Sequence, residues 1–262
     1  MKVLTLITAM LCLTITAAAQ NAAAPKLYND MSRAERLTFV GEQARRIARE
    51  MSGNEYEFTA AFEADIQKEV TRYWSRLEQP GTKDLRVVVE RAQVRAPLLN
   101  SVFRARNVSP LIGLYIPWIE SEYVNLDTPS PMGALGIYQF LPQTGERFGL
   151  SKEDLLDVAK SADAAARYIS ASIDIFKNDP MKEALALLAY NRGEQRTTRD
   201  LKVLLNEENK RCSICALAAD RTKLDETFRS ENVFYVPRFF AAAIIGENPQ
   251  SFGLESQPLS TY

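Results

Sequence analysis

One glutamate stands at the end of an uncharged run, where a carboxyl group can take part in acid–base chemistry. Residues 110–119 (PLIGLYIPWI) carry no charge, and Glu120 follows them directly. A carboxyl group beside apolar side chains loses hydration, which disfavours its charged form and raises its pKa. A raised pKa suits a general acid that works near neutral pH. The alternative is that Glu120 is a solvated residue at the end of a buried helix.

The amino-acid composition limits which side chains can act as catalysts, because the 262 residues include no histidine. Nucleophilic catalysis by Ser-His-Asp or Cys-His groups is therefore excluded, and so are zinc sites built on histidine. A general acid or base has to be Glu, Asp, Tyr, Lys or Cys. We expect neither a metal site nor a cofactor.

Further polar groups follow Glu120 at the ends of apolar segments. The strip GALGIYQFLP contains Gln139, the segment AYNRG contains Tyr190 and Asn191, and the segment YVPRF begins at Tyr235. Each pattern alone is typical of the residues that end or begin a helix. Four such patterns in this order are hard to explain by helix ends alone.

These motifs resemble, in order, those of the lytic transglycosylases of glycoside hydrolase family 23, which share the goose-type lysozyme fold. The matching segments are ES at 120–121, GALGIYQFLP at 133–142, AYNRG at 189–193 and YVPRF at 235–239. The stretches IPWIESEY and SPMGALGIYQFLPQTGERFGL look most like the membrane-bound lytic transglycosylase D branch. The resemblance implies cleavage of peptidoglycan glycan strands between N-acetylmuramic acid and N-acetylglucosamine.

The resemblance also implies roles for individual residues. Glu120 matches the single catalytic acid and base of the family. The positions that match substrate-binding residues are Ser121, Ser130, Met132, Gln139, Tyr190, Asn191 and Tyr235. The chain departs from the family pattern at Tyr138, Arg192 and Gln195, which leaves the shape of the sugar subsites open.

The implied reaction needs only one carboxylate, because the C6 hydroxyl of muramic acid attacks C1 of the same sugar and forms a 1,6-anhydro ring. Ordinary glycosidases use two carboxylates. Glu122 is expected on a different helical face from Glu120, whereas Asp127 lies in a predicted loop and keeps hydrolysis open. A non-catalytic envelope protein that binds peptidoglycan or acts as a scaffold is a further alternative.

The periodicity of the apolar residues predicts a mainly α-helical protein. Ser32 and Glu35 form a capping-box pattern at the start of the first long helix. Residues 85–106 are predicted to form two short helices that break at Pro97. Gly113 and Pro117 predict a bend that aims Glu120 into a cleft, and residues 136–141 allow at most a small β-hairpin. We expect a lysozyme-like helical catalytic domain preceded by an N-terminal helical region.

The predicted domain organisation begins with a secretory signal peptide. Lys2, the apolar run that follows it and the small residues before Gln20 fit such a signal. The expected units are a signal peptide at 1–19, a flexible leader at 20–30, a helical region at 31–109, the catalytic domain at 110–250 and a C-terminal tail at 251–262. We expect the helical region to support one wall of the cleft.

The charge balance indicates which partners are plausible. The chain has 32 basic and 33 acidic side chains, which argues against nucleic acid because phosphate binding needs a basic surplus. The signal predicts export across the inner membrane to the periplasm, with no transmembrane segment after its removal. The expected partners are peptidoglycan glycan strands, and a possible envelope complex is left open by the sequence.

Two cysteines, Cys212 and Cys215, remain after removal of the signal. An oxidising compartment favours a short-range disulfide between them. We further hypothesise that the charged segment around them, residues 194–231, borders the glycan groove and limits which strand lengths enter.

Overall fold

The computed structural model describes residues 25–262 apart from positions 78, 80, 82, 207 and 208. The predicted signal peptide lies outside the described residues. Within them the protein is built from α-helices joined by turns and short 3₁₀ segments, with no β-strand. The helices are α1 Arg33–Ser52, α2 Ala60–Trp74, α3 Leu85–Ala105, α4 Pro110–Ser121, α5 Pro142–Arg147, α6 Val158–Ile175, α7 Lys182–Arg192, α8 Glu194–Leu204, α9 Ser213–Ala219, α10 Glu226–Ser230 and α11 Tyr235–Glu247.

The prediction of a mainly helical fold is confirmed. Of the predicted small β-hairpin, the described residues form only one isolated β-bridge. Leu135 and Phe140 form one isolated antiparallel bridge around the turn that contains Gln139. The turn closes because the Leu135 and Phe140 backbones exchange hydrogen bonds of 3.0 and 3.1 Å. This bridge presents the strip of residues 133–142 as a compact loop rather than as a sheet.

The capping prediction for α1 is confirmed, whereas the predicted break in α3 is wrong. The Ser32 hydroxyl accepts from the Glu35 backbone, and the Glu35 carboxylate accepts from the Ser32 backbone. Helix α3 continues through Pro97 without interruption. Pro97 lies on the exposed face of the helix, where water can solvate the carbonyl group that its missing N–H leaves unbonded.

Helix α4, which carries the candidate acid Glu120 in its last turn, is buried over most of its length. All eight residues from Leu111 to Trp118 are buried. A Cβ atom on Gly113 would lie 2.4 Å from the Phe103 ring of α3, so the close approach of the two helices requires glycine there. Trp118 contacts Tyr73 of α2 edge-on, with ring centroids 6.0 Å apart. Helix α4 is therefore held on several sides.

The N-terminal helices share one hydrophobic core with the rest of the described chain. Phe58 packs edge-on against Phe240 of α11, with centroids 5.1 Å apart. Tyr28, within the predicted leader, is fully buried and packs against Phe252 at 5.0 Å. Leu259, within the predicted tail, is also fully buried. The last residues of the predicted leader and the C-terminal segment are thus part of the packed structure.

None of the described helices combines the length and the apolar character that crossing a membrane requires.

Candidate active site

Glu120 lies at the last turn of α4, and its carboxyl group is partly buried. The hydroxyl group of Tyr235, the first residue of α11, donates a 2.7 Å hydrogen bond to Glu120 Oε1. Burial raises the pKa of Glu120 to about 7, and the hydrogen bond from Tyr235 opposes part of that rise. The carboxyl group can therefore both give and take a proton near neutral pH.

Two tyrosines flank this carboxyl group, and neither is ionised near neutral pH. Burial raises the pKa of Tyr235 and of Tyr190 well above the usual value, and the charge of Glu120 raises both further. Tyr190 donates a 2.7 Å hydrogen bond to the Tyr138 carbonyl group, which fixes its ring against the loop of residues 133–142. Both hydroxyl groups act as donors, and Tyr235 aims its hydrogen at the candidate acid.

Ser121 connects the end of α4 to that same loop. Its hydroxyl group donates to the Ile137 carbonyl group at 2.8 Å and also lies 3.3 Å from the Pro117 carbonyl group. Ser121 is predicted to bind substrate, and the structure places its hydroxyl on the protein backbone. The hydrogen bond orients the loop relative to Glu120.

Gln139 lies at the tip of the loop and is partly exposed. Its backbone adopts a left-handed conformation with φ of 48°, and its Nε2 group donates to the Gly136 carbonyl group at 2.8 Å. This hydrogen bond uses one amide proton, while the Oε1 atom remains a hydrogen-bond acceptor. The side chain is presented by a turn whose ends the Leu135–Phe140 bridge holds together.

Ser130 and Met132 belong to the turn that leads into the loop. The Ser130 hydroxyl accepts a 3.0 Å hydrogen bond from the Ala134 backbone, so it stabilises the turn. Met132 is 80% exposed, the highest value among the large apolar side chains of the described residues. The structure gives neither residue a contact with Glu120.

Asn191 follows Tyr190 near the end of α7 and is exposed. Its Oδ1 atom accepts a 2.6 Å hydrogen bond from Asn232 Nδ2. Asn232 lies in a 3₁₀ turn three residues before Tyr235, outside the quoted motifs. The sequence carried no signal for this contact. Arg192, which departs from the family pattern, is buried and donates a hydrogen bond to Asn232.

Glu122 and Asp127 are the two candidates for the second carboxylate that a conventional glycosidase needs. Glu122 lies beyond the helix with φ of 51° and forms a 2.7 Å ion pair with Arg76. Asp127 is exposed and accepts a hydrogen bond from the neighbouring Thr128. Glu122 is thus engaged by a residue of the N-terminal region, and the structure gives Asp127 no contact with Glu120.

The disulfide between Cys212 and Cys215 is present, with Cα atoms 5.1 Å apart. It lies at the start of α9, where the Thr59 backbone N–H points at the Cys215 sulfur from the start of α2. The idea that this segment limits glycan length stays a prediction. In the part of the chain that the structure describes, no group of three or more acidic or cysteine side chains is arranged to hold a metal ion.

Comparison with known proteins gives one family match. No curated protein matches the chain. The matched segment runs from the second half of α3 to the turn before the disulfide, so it includes Glu120, Gln139, Tyr190 and Asn191 but ends before Tyr235. Residues 98–211 match the family model described as the transglycosylase SLT domain, and this match supports a lytic transglycosylase activity on peptidoglycan.

Proposed function

We propose that the protein cleaves peptidoglycan glycan strands between N-acetylmuramic acid and N-acetylglucosamine, with Glu120 as the single general acid and base. The observation that carries this proposal is the partly buried Glu120 carboxyl group, whose pKa is raised to about 7 and which accepts a hydrogen bond from Tyr235. An exposed glutamate at a helix end would not have this proton affinity.

In the first half of the proposed reaction, protonated Glu120 gives its proton to the glycosidic oxygen. The bond between C1 of muramic acid and that oxygen breaks, and the leaving sugar departs with a free hydroxyl group. Tyr235 remains protonated and donates to the carboxylate that forms, which stabilises the negative charge.

In the second half, the C6 hydroxyl oxygen of the same muramic acid forms a bond to C1, and its proton passes to Glu120. The product is a 1,6-anhydro ring, and Glu120 returns to its starting state. An intramolecular nucleophile has a high effective concentration, so the reaction needs no second carboxylate to activate water. The ion pair between Glu122 and Arg76 agrees with this one-carboxylate scheme.

The test is digestion of purified sacculi followed by mass spectrometry of the soluble products. We expect 1,6-anhydromuramic ends from the wild type and a loss of at least about 100-fold in rate for Glu120→Gln. Glu122→Gln is the matched control, because it removes a carboxylate two residues away and should keep most of the activity. Reducing ends would indicate a hydrolase, and an intact polymer would indicate a binding or scaffold protein.

Three finer statements belong to the same proposal. Placement in the membrane-bound lytic transglycosylase D branch is supported by the stretches IPWIESEY and SPMGALGIYQFLPQTGERFGL. Export to the periplasm is supported by the signal-like residues 1–19. The choice of catalysis over binding alone is supported by the co-occurrence of Glu120 with both site tyrosines, which a binding protein has no chemical need to keep.

A further inference from the structure

A buried chain of hydrogen bonds lies behind the exposed amide of Asn191. Arg192 Nη1 donates to Asn232 Oδ1 at 2.8 Å, and Asn232 Nδ2 donates to Asn191 Oδ1 at 2.6 Å. The guanidinium group has donors only, so the atom of Asn232 that faces it has to be the oxygen. This leaves the nitrogen of Asn232 to face Asn191, which in turn has to present its own oxygen.

Burial and ion pairs fix the Arg192 end of this series of hydrogen bonds. The Arg192 side chain has no solvent exposure, and Asn232 is 4% exposed. Asp200 binds Arg192 through Nε, and Asp225 binds its Nη2 group at 2.8 Å. These two carboxylates orient the guanidinium group and thereby the amide of Asn232.

The fixed orientation of Asn232 determines which group of the Asn191 amide is available to a ligand. The Asn191 oxygen accepts from Asn232, and among the described residues no hydrogen bond is formed by the Asn191 Nδ2 group. Asn191 is exposed beside Tyr190, whose hydroxyl group is tied to the loop that carries Gln139. Because the Asn191 oxygen is turned toward the buried Asn232, the group on the other side of the planar amide is the Nδ2 donor, with its N–H groups open to a ligand.

We propose that Asn232 is a positioning residue that fixes the polarity of the Asn191 amide, so that Asn191 donates to a carbonyl oxygen of the bound glycan. This inference rests on the proposed function. Both sugars of the proposed substrate carry N-acetyl groups, whose carbonyl oxygens are acceptors of this kind. The buried Arg192 then acts at a distance from the sugar, by setting the orientation of an amide that touches it.

Replacement of Asn232 by aspartate separates this role from a structural one. In Asn232→Asp the carboxylate still accepts from Arg192, so the buried network keeps its arginine contact. The carboxylate cannot donate to Asn191, however. The Asn191 amide therefore has to turn so that its nitrogen faces the new carboxylate at position 232. Asn191 then presents its oxygen to an acceptor on the ligand.

The measurement is the dissociation constant of a soluble tetrasaccharide of alternating N-acetylglucosamine and N-acetylmuramic acid, determined by calorimetry in the inactive Glu120→Gln background. We expect Asn232→Asp to weaken binding at least about tenfold, because a hydrogen bond is lost and two acceptors face each other. Thermal unfolding should show one cooperative transition, as in the background protein, so that weaker binding is measured on a folded variant.

Asn248→Asp is the matched control, because Asn248 also accepts from an arginine, Arg46 at 3.5 Å, and donates to a carbonyl group, that of Ile244. It lies at the opposite end of α11 from Tyr235 and should leave the dissociation constant unchanged. Asn232→Ser is a second variant that keeps an oxygen for Arg192 and releases Asn191, and it should weaken binding by less than Asn232→Asp.

The outcomes separate this inference from the proposed function. If the Glu120→Gln protein binds the tetrasaccharide and neither Asn232 variant changes the dissociation constant, Asn232 is structural and the inference is overturned. If the Glu120→Gln protein does not bind the glycan at all, the proposed function falls and takes the inference with it.

Discussion

The proton affinity of Glu120 results from two opposing effects on one side chain. Burial at the end of α4 favours the neutral acid, whereas the hydrogen bond from Tyr235 favours the carboxylate. Their balance puts the pKa at about 7, where a group can donate a proton in one step and accept one in the next. Without Tyr235 the carboxyl group would stay protonated to a higher pH, whereas a fully solvated carboxyl group would be ionised near neutral pH and would have no proton to donate.

Replacement of Tyr235 by phenylalanine should therefore shift the pH dependence of cleavage. The hydroxyl group lowers the pKa of Glu120, so its removal raises that pKa above about 7. Because the general acid has to be protonated, activity falls as pH rises through this pKa. In Tyr235→Phe that fall should move to higher pH, by about one unit.

The measurement is the rate of sacculus digestion from about pH 5 to about pH 9, a range that brackets the pKa of Glu120. Tyr56→Phe is the matched control, because it removes a tyrosine–glutamate hydrogen bond of 3.0 Å that involves Glu183 instead. A Tyr235→Phe profile that coincides with that of the wild type would mean that this hydroxyl group does not tune Glu120.

At the scale of a helix, α4 contains a carbonyl group that has no hydrogen-bond partner within the helix backbone. Pro117 has no N–H, so the Gly113 carbonyl group one turn earlier lacks its usual helical partner. The hydroxyl group of Tyr138 donates to this carbonyl oxygen at 2.8 Å. Tyr138, a departure from the family pattern, thus supplies the missing hydrogen bond and ties α4 to the loop that carries Gln139.

Tyr138→Phe should therefore destabilise the protein by about 1 to 3 kcal/mol, because it leaves a buried carbonyl group unpaired. Tyr168→Phe offers a matched control. Tyr168 donates to the Ala189 carbonyl group at 3.1 Å, but that carbonyl also accepts from the Gly193 backbone. Urea unfolding measures both variants, and equal losses of stability would contradict the special role of Tyr138.

At the scale of the whole molecule, the predicted boundary at residue 109 does not separate two hydrophobic cores. Phe103 packs against Gly113, and Tyr73 packs against Trp118, so the N-terminal helices cover the surface of α4. The C-terminal segment closes another side, since Asn100 donates to the backbone carbonyl groups of Leu259 and Tyr262. The helix that ends in Glu120 depends on both segments.

A fragment of residues 110–250, the predicted catalytic domain, should therefore fail to fold by itself. It would expose the apolar surface of α4 and of α11 that the N-terminal helices bury, at roughly 25 cal/mol for each Å². Residues 25–262 should instead unfold in one cooperative thermal transition. Circular dichroism melts of both proteins provide the test, and a cooperative transition with full cleavage activity in the fragment would contradict it.

Several features could be predicted because they depend on residues close together in the chain. The 3.6-residue periodicity determined the helical class, the Ser32–Glu35 pattern determined the start of α1, and the apolar run before Glu120 indicated a partly desolvated acid. The prediction for Pro97 failed because a local rule does not say which face of a helix is solvated.

What only the tertiary structure decided is the set of contacts between distant residues. Tyr235 meets Glu120 across 115 positions, Tyr138 reaches the Gly113 carbonyl group, and Asn232 reaches Asn191. Hydrogen bonds are short and directional, so they form only after the packing of helices has brought their partners within about 3 Å. The sequence by itself determined which groups are available for chemistry, and the packing of α4, α7 and α11 decided which of them meet.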